Sequence, residues 1–358
     1  MATLFVVSTQ PLSGKTALCA SLGSRFQSQG LRVGYVKPVA SQLGSGNGRS
    51  PDEDVKFMID TLDLSQTWDV ISPVVLTDHQ LESIMAGKAE SLADRMKAAL
   101  SVAGKGRDVV LLEGAGNPWV GSIAGLSGKS VAEMGGARML LIGRYDGPAT
   151  ADHILGMAQE LGSSLLGVVV NMVPDNALGF VNKTMAPFLV SRGVAVLGVL
   201  PEERSLMGLS VGDLARYVGG EFLRGEDRSE DLVEGFLMGA LSTDYMQDYY
   251  SRRQNLAVIT SGEKTDIQLF SMTSNTRCII LTGYRRPVEL VMAQAAEHGI
   301  PLILVKEDTL TIAEKVEGLF ASIRFHQRQK LPIMARVLEA GFDFSALNQA
   351  LGLAAKVT

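Results

Sequence analysis

Thr3-Leu4-Phe5-Val6-Val7 is followed by Ser8-Thr9-Gln10-Pro11-Leu12-Ser13-Gly14-Lys15-Thr16 and then by Ala17-Leu18-Cys19-Ala20. An apolar run of strand length thus passes through a turn into the opening of a helical stretch. The run does not alternate, as expected of a strand buried on both faces. A helix that starts just past such a strand aims its first N–H groups beyond the strand end, where they suit an anion. The ending Gly14-Lys15-Thr16 matches a phosphate-binding loop, which reads here with Ser8 in place of an opening glycine. Thr9, Gln10, Ser13, Gly14, Lys15, Thr16 and Ala17 are therefore the expected contacts to a nucleotide, ATP. Lys15 would add charge at the β- and γ-phosphates, and the Thr16 hydroxyl would ligate Mg2+. The plainer alternative is an ordinary strand–helix turn, which the position directly after the first strand disfavours.

The same alternation continues along the chain. Arg32–Val36, Asp108–Leu112, Arg138–Gly143, Leu166–Val170 and Val194–Leu200 are further strand candidates. Gly14–Gln29, Leu92–Ala103 and Ala151–Leu161 are helical candidates between them. Strand–helix repetition of this kind predicts an α/β fold, a parallel doubly wound sheet. Ligands bind such sheets outside the carboxyl ends of the strands, so the residue after each strand carries the functional information.

Lys37-Pro38 follows the second strand, and Lys37 would meet a substrate anion or the γ-phosphate there; a solvated lysine is the alternative. Glu113, followed by Gly114-Ala115-Gly116, reads as a metal carboxylate or as a capping residue. Asp54, within Pro51-Asp52-Glu53-Asp54, suits either a metal or the positive end of a helix. Asn171 ends the fifth strand, where its two-sided amide suits adenine and equally suits a turn. Lys15 and Lys37 are the candidate catalytic residues; Thr16, Asp54 and Glu113 are the candidate metal ligands.

From about Val211 the texture changes. Gly219-Gly220 and the charged run Glu221–Asp231 read as a surface connection or an exposed helix face. Leu256–Ile259, Cys278–Leu281 and Leu302–Val305 then predict strands, with helical Val288–His298 and Ile312–Ala321, and Pro332–Leu351 one or two terminal helices. The expected division is a nucleotide-binding domain over residues 1–215 and a smaller α/β domain over 216–358.

The 358 residues suit two domains, and 46% apolar against 20% charged residues allow substantial cores. A net charge of -5 argues against nucleic acid or an anionic membrane as the main partner. The apolar Met1–Val7 has no basic leader, and no uncharged run reaches the roughly 20 residues of a membrane span, so the expected compartment is the cytoplasm. Cys19 and Cys278 lack metal spacing and read as buried thiols. His79, His153, His298 and His326 are scattered, without ligand spacing. The Tyr245–Tyr250 cluster reads as a helix covering a core edge, with an aromatic interface as the alternative, and Arg285-Arg286 as a solvated turn or an anion contact.

Residues 3–16, Gly34-Tyr35-Val36-Lys37-Pro38-Val39, Leu112-Glu113-Gly114-Ala115-Gly116 and the strand end Val168–Asn171 together resemble dethiobiotin synthetase and the cobyrinic acid diamide synthases. That resemblance implies an ATP and Mg2+ site in which Lys15 and Thr16 are the phosphate-loop residues. It makes Lys37 a substrate contact, Asp54 and Glu113 magnesium carboxylates, and Asn171 an adenine contact. Leu256–Leu269, with Ser261-Gly262-Glu263-Lys264-Thr265-Asp266, then Ile280-Leu281-Thr282-Gly283 and Asp308-Thr309, resembles the DRTGG domain. Gly262-Glu263-Lys264 stands where that family often has Gly-Asp-Arg, and lysine lacks the fork with which arginine grips an anion.

The pair, in this order, resembles the N-terminal regulatory half of long bacterial phosphotransacetylases, without their acetyltransferase domain. The resemblance implies a nucleotide-responsive regulator, or a partner of a phosphotransacetylase or another enzyme of acetyl-phosphate metabolism. An ATP-dependent carboxylate ligase or amide synthase is the alternative, and a degenerate scaffold that binds no nucleotide is a third. A homodimer is the expected assembly, because closed two-fold oligomers are the commonest.

Overall fold

A computed structural model describes residues 1–41, 53–88, 91–239, 253–272, 275–321 and 325–353. Two compact units emerge. One comprises Met1–Glu203 with Arg328–Thr358, the other Arg204–Gln327.

The central sheet of the first unit has six strands: β1 (Ala2–Ser8), β2 (Val33–Val36), β3 (Val109–Glu113), β4 (Arg138–Arg144), β5 (Leu165–Val173) and β6 (Val196–Pro201). They lie in the order β2-β3-β1-β4-β5-β6, and every pairing is parallel. The doubly wound parallel sheet read from the sequence is the one present. Its non-alternating strands are buried on both faces: β3 is buried at all five positions and β1 at six of seven. Each such Val or Leu contributes about 1.5–3 kcal/mol by leaving water. From β1 the chain crosses to β2, returns to lay β3 between them, and then places β4 on the other side of β1. That reversal opens the crevice at the carboxyl end of β1.

Helix α1 (Lys15–Ser28) begins at that crevice. Its entry needs the left-handed backbone of Gly14, at φ 91°. A Cβ there would also lie 2.6 Å from Asn171 Nδ2. Only glycine meets both demands cheaply.

The main sheet of the second unit has five strands in the order β7-β11-β10-β9-β8: β7 (Glu221–Arg224), β8 (Gly235–Met238), β9 (Leu256–Ser261), β10 (Thr276–Thr282) and β11 (Leu302–Leu304). All pairings are parallel except that of β7 with β11. Two apolar layers enclose the sheet, one around Ile259, Ile280 and Val316, the other around Val258, Leu281 and Val291.

The structure differs from the sequence reading in three places. The charged run Glu221–Asp231 contains a strand, β7, and a short 3-10 turn at Glu226–Arg228, rather than a connection or helix face. Phe222 and Leu223 supply enough apolar surface for an antiparallel edge strand whose charged ends stay exposed. The division falls after Glu203 rather than at 215/216, because Leu209, Val211 and Leu214 pack into the core of the second unit. The terminal helices Leu331–Gly341 and Phe344–Leu351 belong to the first unit: Asp343 N–H donates to Leu197 O at 2.7 Å, and Phe342 bridges to Gly198. Tyr245–Tyr250 lies outside the described residues.

Candidate functional site

Parallel strands put their carboxyl ends on one edge, and five expected side chains gather there. Lys15, Lys37, Asp54, Glu113 and Asn171 are all buried, at 1–9% exposure. Charged and amide groups are rarely buried without partners, so the hydrogen bonds decide what this edge can do.

The loop closes on itself. Ser8 Oγ donates to Gln10 O at 2.7 Å, and Ser13 Oγ donates to the same carbonyl at 2.6 Å. Thr9 N–H donates to Ile142 O at 3.0 Å, tying the loop to β4. Asn171 Nδ2 donates to Ser13 O at 2.9 Å, tying it to β5. The Asn171 amide thus faces the loop. Counted back from Lys15, the opening glycine of the G-x-x-x-x-G-K-T pattern falls on Thr9; Ser8, expected in that place, is instead the last residue of β1.

Lys15 Nζ donates to Ser8 Oγ at 2.8 Å and to Gly116 O at 3.3 Å. Burial lowers its pKa, the charge of Lys37 adds to that, and the charges of Glu113 and Asp54 oppose it.

Thr16 Oγ1 donates to Glu113 Oε1 at 2.6 Å, and Tyr35 Oη donates to Glu113 Oε2 at 2.9 Å. Glu113 is 1% exposed. Burial raises its pKa; the charge of Asp54 acts in the same direction, while Lys37 and the two hydroxyls act against it. Burial, reinforced by the Glu113 charge, pushes the Tyr35 phenol well up, so it remains a donor. Lys37 Nζ and Asp54 Oδ2 form an ion pair at 2.6 Å. Asp54 lies in the first turn of α2 (Glu53–Leu62). Ala17, in the first turn of α1, is buried.

The structure therefore brings Lys15, Thr16, Lys37, Asp54, Glu113 and Asn171 to one edge. Thr9, Gln10, Ser13 and Gly14 build the loop between them. Sequence reading missed Tyr35 as a member of this group. A hydroxyl inside the apolar run Gly34-Tyr35-Val36, two residues before Lys37, was the one hint, and an ordinary core tyrosine gives the same.

The donor set fits a hard divalent ion. Mg2+ takes one or two carboxylates, a hydroxyl, phosphate oxygens and water rather than an all-protein cage. Glu113 and Thr16 converge in that way, and no cluster of three His, Cys, Asp or Glu suited to a metal occurs among the described residues.

Comparison with known proteins agrees with both units. Residues 2–210 match the AAA domain family model, and residues 213–319 match the DRTGG domain model. A phosphate acetyltransferase of Nitratidesulfovibrio vulgaris is 22% identical over 97% of this chain and 51% of its own length. The ATP-dependent dethiobiotin synthetase of Methanococcus vannielii is 23% identical over 56% of this chain and 94% of its own. The septum site-determining protein MinD of Pyrococcus horikoshii, solved with Mg-ADP, covers 57% of this chain and 83% of its own at 17% identity, with a TM-score of 0.35. The chain spans about half the length of the phosphate acetyltransferases it matches. Among the described residues no helix is long and apolar enough to cross a membrane.

Proposed function

The chain belongs to the AAA domain family, and from that membership we propose that it is an ATP- and Mg2+-binding protein with a regulatory or partner role, of the type of the N-terminal half of phosphate acetyltransferases. The observation that carries the nucleotide reading is the 2.6 Å hydrogen bond from Thr16 to Glu113, one residue beyond Lys15 on the same loop. A hydroxyl and a carboxylate joined beside a phosphate-loop lysine are what a phosphate-bound Mg2+ requires.

In this reading Lys15 leaves Ser8 for the β- and γ-phosphates. The first N–H groups of α1, with Thr9, Gln10, Ser13, Gly14 and Ala17, line the phosphates. Asn171 lies on the adenine side. Thr16 and Glu113 hold the ion, with Asp54 close enough for its charge to act on Glu113. The regulatory role rests on the pairing with a DRTGG domain, in a chain that matches about half the length of the phosphate acetyltransferases. Nucleotide binding orders the loop edge of the first unit, and a partner enzyme of acetyl-phosphate metabolism, or a second copy of the chain, receives the change.

A second reading, an ATP-dependent carboxylate ligase, is favoured by one observation. Lys37 and Asp54 form a buried ion pair on the nucleotide edge, and a cation placed there serves a developing negative charge at a substrate or γ-phosphate. The dethiobiotin synthetase likeness supports the same reading.

Calorimetry of Mg·ATP binding to the wild type and to Lys15→Ala, followed by ADP release on the same samples, tests both. Tight binding lost in the variant, without turnover, supports the regulator. Steady ADP release with a carboxylate or diamine moves the ligase ahead. Affinity no better than about millimolar, or some 4 kcal/mol, in both proteins would overturn the nucleotide reading.

A further inference from the structure

Glu113 sits at the end of β3, held at both carboxylate oxygens by hydroxyls from two different elements. Thr16 comes from the first turn of α1, where the phosphate loop ends, and is partly exposed. Tyr35 comes from β2, the neighbour of β3, and is fully buried, with Oη 2.9 Å from Oε2. The two bonds are unequal in kind, because one partner belongs to the loop and the other to the sheet.

We propose that Tyr35 is a positioning residue for the metal carboxylate: its hydroxyl fixes Glu113 Oε2 to the sheet and leaves Oε1 as the one oxygen turned toward Thr16 and the ion. The inference rests on the reading that this edge binds Mg·ATP. It adds the mode of binding: Glu113 meets the ion through a single oxygen or through a water, never as a bidentate clamp. A carboxylate turns about its last bond with little resistance. Without the second hydroxyl, Oε2 would compete with Oε1 for Thr16 and for the ion.

The geometry of the strands supports this assignment. Tyr35 pairs with Leu111 in register on β3, two residues before Glu113. Both residues therefore lie on the same face of adjacent strands, where side chains at such diagonal positions remain within reach of a long aromatic group. The ring is held by its burial, so the hydroxyl cannot follow the loop. The sheet thereby sets the direction of Oε1 before any ligand arrives, which is what a pre-organised ion site requires.

The test is Tyr35→Phe, which removes one oxygen and leaves the ring. Calorimetry gives ATP affinity with and without Mg2+, and the Mg2+ affinity of the ATP-loaded protein. Outer-shell partners of metal ligands typically control affinity by about 10–100-fold, so Mg2+ affinity is expected to fall by roughly tenfold or more while metal-free ATP binding stays at the wild-type value. The same substitution on a Glu113→Gln background should add almost nothing, because its effect passes through that carboxylate.

Unchanged Mg2+ affinity in Tyr35→Phe, with wild-type Mg·ATP binding intact, would overturn the positioning role alone. An equal loss of ATP affinity with and without Mg2+, or full additivity with Glu113→Gln, would reduce Tyr35 to a packing residue. Absence of Mg·ATP binding in the wild type would remove the nucleotide reading and this role with it. Should Tyr35→Phe not fold, Thr16→Val tests the same division of labour: with Oε2 still held, Glu113 should keep residual Mg2+ binding that Glu113→Gln lacks. Equal loss in both would count against the proposal.

Discussion

The ammonium of Lys15 lies 2.8 Å from the hydroxyl of Ser8, so the residue that ends β1 supplies an acceptor to the phosphate-loop lysine. A buried cation needs such a partner. Gly116 O, at 3.3 Å, is the longer and weaker one. A phosphate bound in the loop would therefore compete with Ser8 for Lys15.

Ser8→Ala tests that competition. The variant loses a charge-assisted hydrogen bond, worth about 1.5–3 kcal/mol net, in the nucleotide-free protein only. Thermal melts should show a lower Tm without ligand and a larger rise on adding Mg·ATP than in the wild type. An unchanged ligand-free Tm would mean that Lys15 draws its support from elsewhere.

Glu113 makes the opposite trade. Burial raises its pKa above the usual 4.5 against the pull of Lys37 and two hydroxyls. A raised carboxyl pKa means that the folded protein holds that proton more tightly than the unfolded chain. Stability from this group is therefore greatest below pH 4.5 and declines as pH rises through the folded pKa; at neutral pH the ionised group is a cost. Glu113→Gln should raise the ligand-free Tm at pH 7, by roughly 2–4 °C for each kcal/mol relieved in a unit of this size, while weakening Mg·ATP. Melts with and without ligand at pH 5 and pH 8 check it, since the gain should shrink at the lower pH. A lower Tm at neutral pH would show that the carboxylate's hydrogen bonds outweigh its desolvation.

Much of this edge was legible before any coordinates. Short apolar runs without alternation, bounded by turn residues, read as strands covered on both faces, and that put Ser8, Lys37 and Glu113 at strand ends by counting alone; Asn171 lies inside β5, two residues before its end. Gly14-Lys15-Thr16 carried its own chemistry. Tyr35 was not legible, because an aromatic residue in a strand is ordinary core until the neighbouring strand's register is known. Nor was the Ser8–Lys15 bond, since the loop's curvature, not its order, brings the two together. The strand Glu221–Arg224 escaped for a related reason: two apolar residues between charged ones suffice for an edge strand but look like a solvated run. The terminal helices were found, but their attachment to the first unit depends on Asp343 meeting Leu197 across 146 residues, which no local pattern encodes.

Cys19 and Cys278 provide a check on the packing of both units. Each thiol is buried; burial pushes Cys19 well up, with the Glu113 charge adding to it, and pushes Cys278 to about 12. A thiolate-selective reagent at pH 8 should label neither in the folded protein and both in denaturant. The linked stability is present in full below the unfolded thiol pKa and is lost as pH rises from about 9 toward 12. Labelling of Cys278 in the folded protein at pH 8 would mean that β10 opens far more often than its burial allows.

Gly262 gives the sharpest test in the second unit. It follows β9, where Gly262-Glu263-Lys264 stands in place of the Gly-Asp-Arg of the DRTGG family and lacks the arginine fork that grips an anion. The structure instead presses this loop against the one after β10: a Cβ on Gly262 would run into the backbone carbonyl of Arg285. The acceptor is backbone, so no side-chain rotation can make room. Glu263 pairs with Arg285 at 3.3 Å, but both side chains are about two-thirds exposed, and such a pair contributes little. Steric fit, not charge, therefore holds the two loops together. Gly262→Ala should destabilise the second unit by about 1–3 kcal/mol, the usual cost of overpacking, whereas Glu263→Gln should change stability by less than about 1 kcal/mol. Chemical denaturation of the full chain, followed by hydrogen exchange at β9 and β10, distinguishes them. If Glu263→Gln costs more than Gly262→Ala, the ion pair is the joint, and an anion competing for Arg285 becomes the better account of that loop.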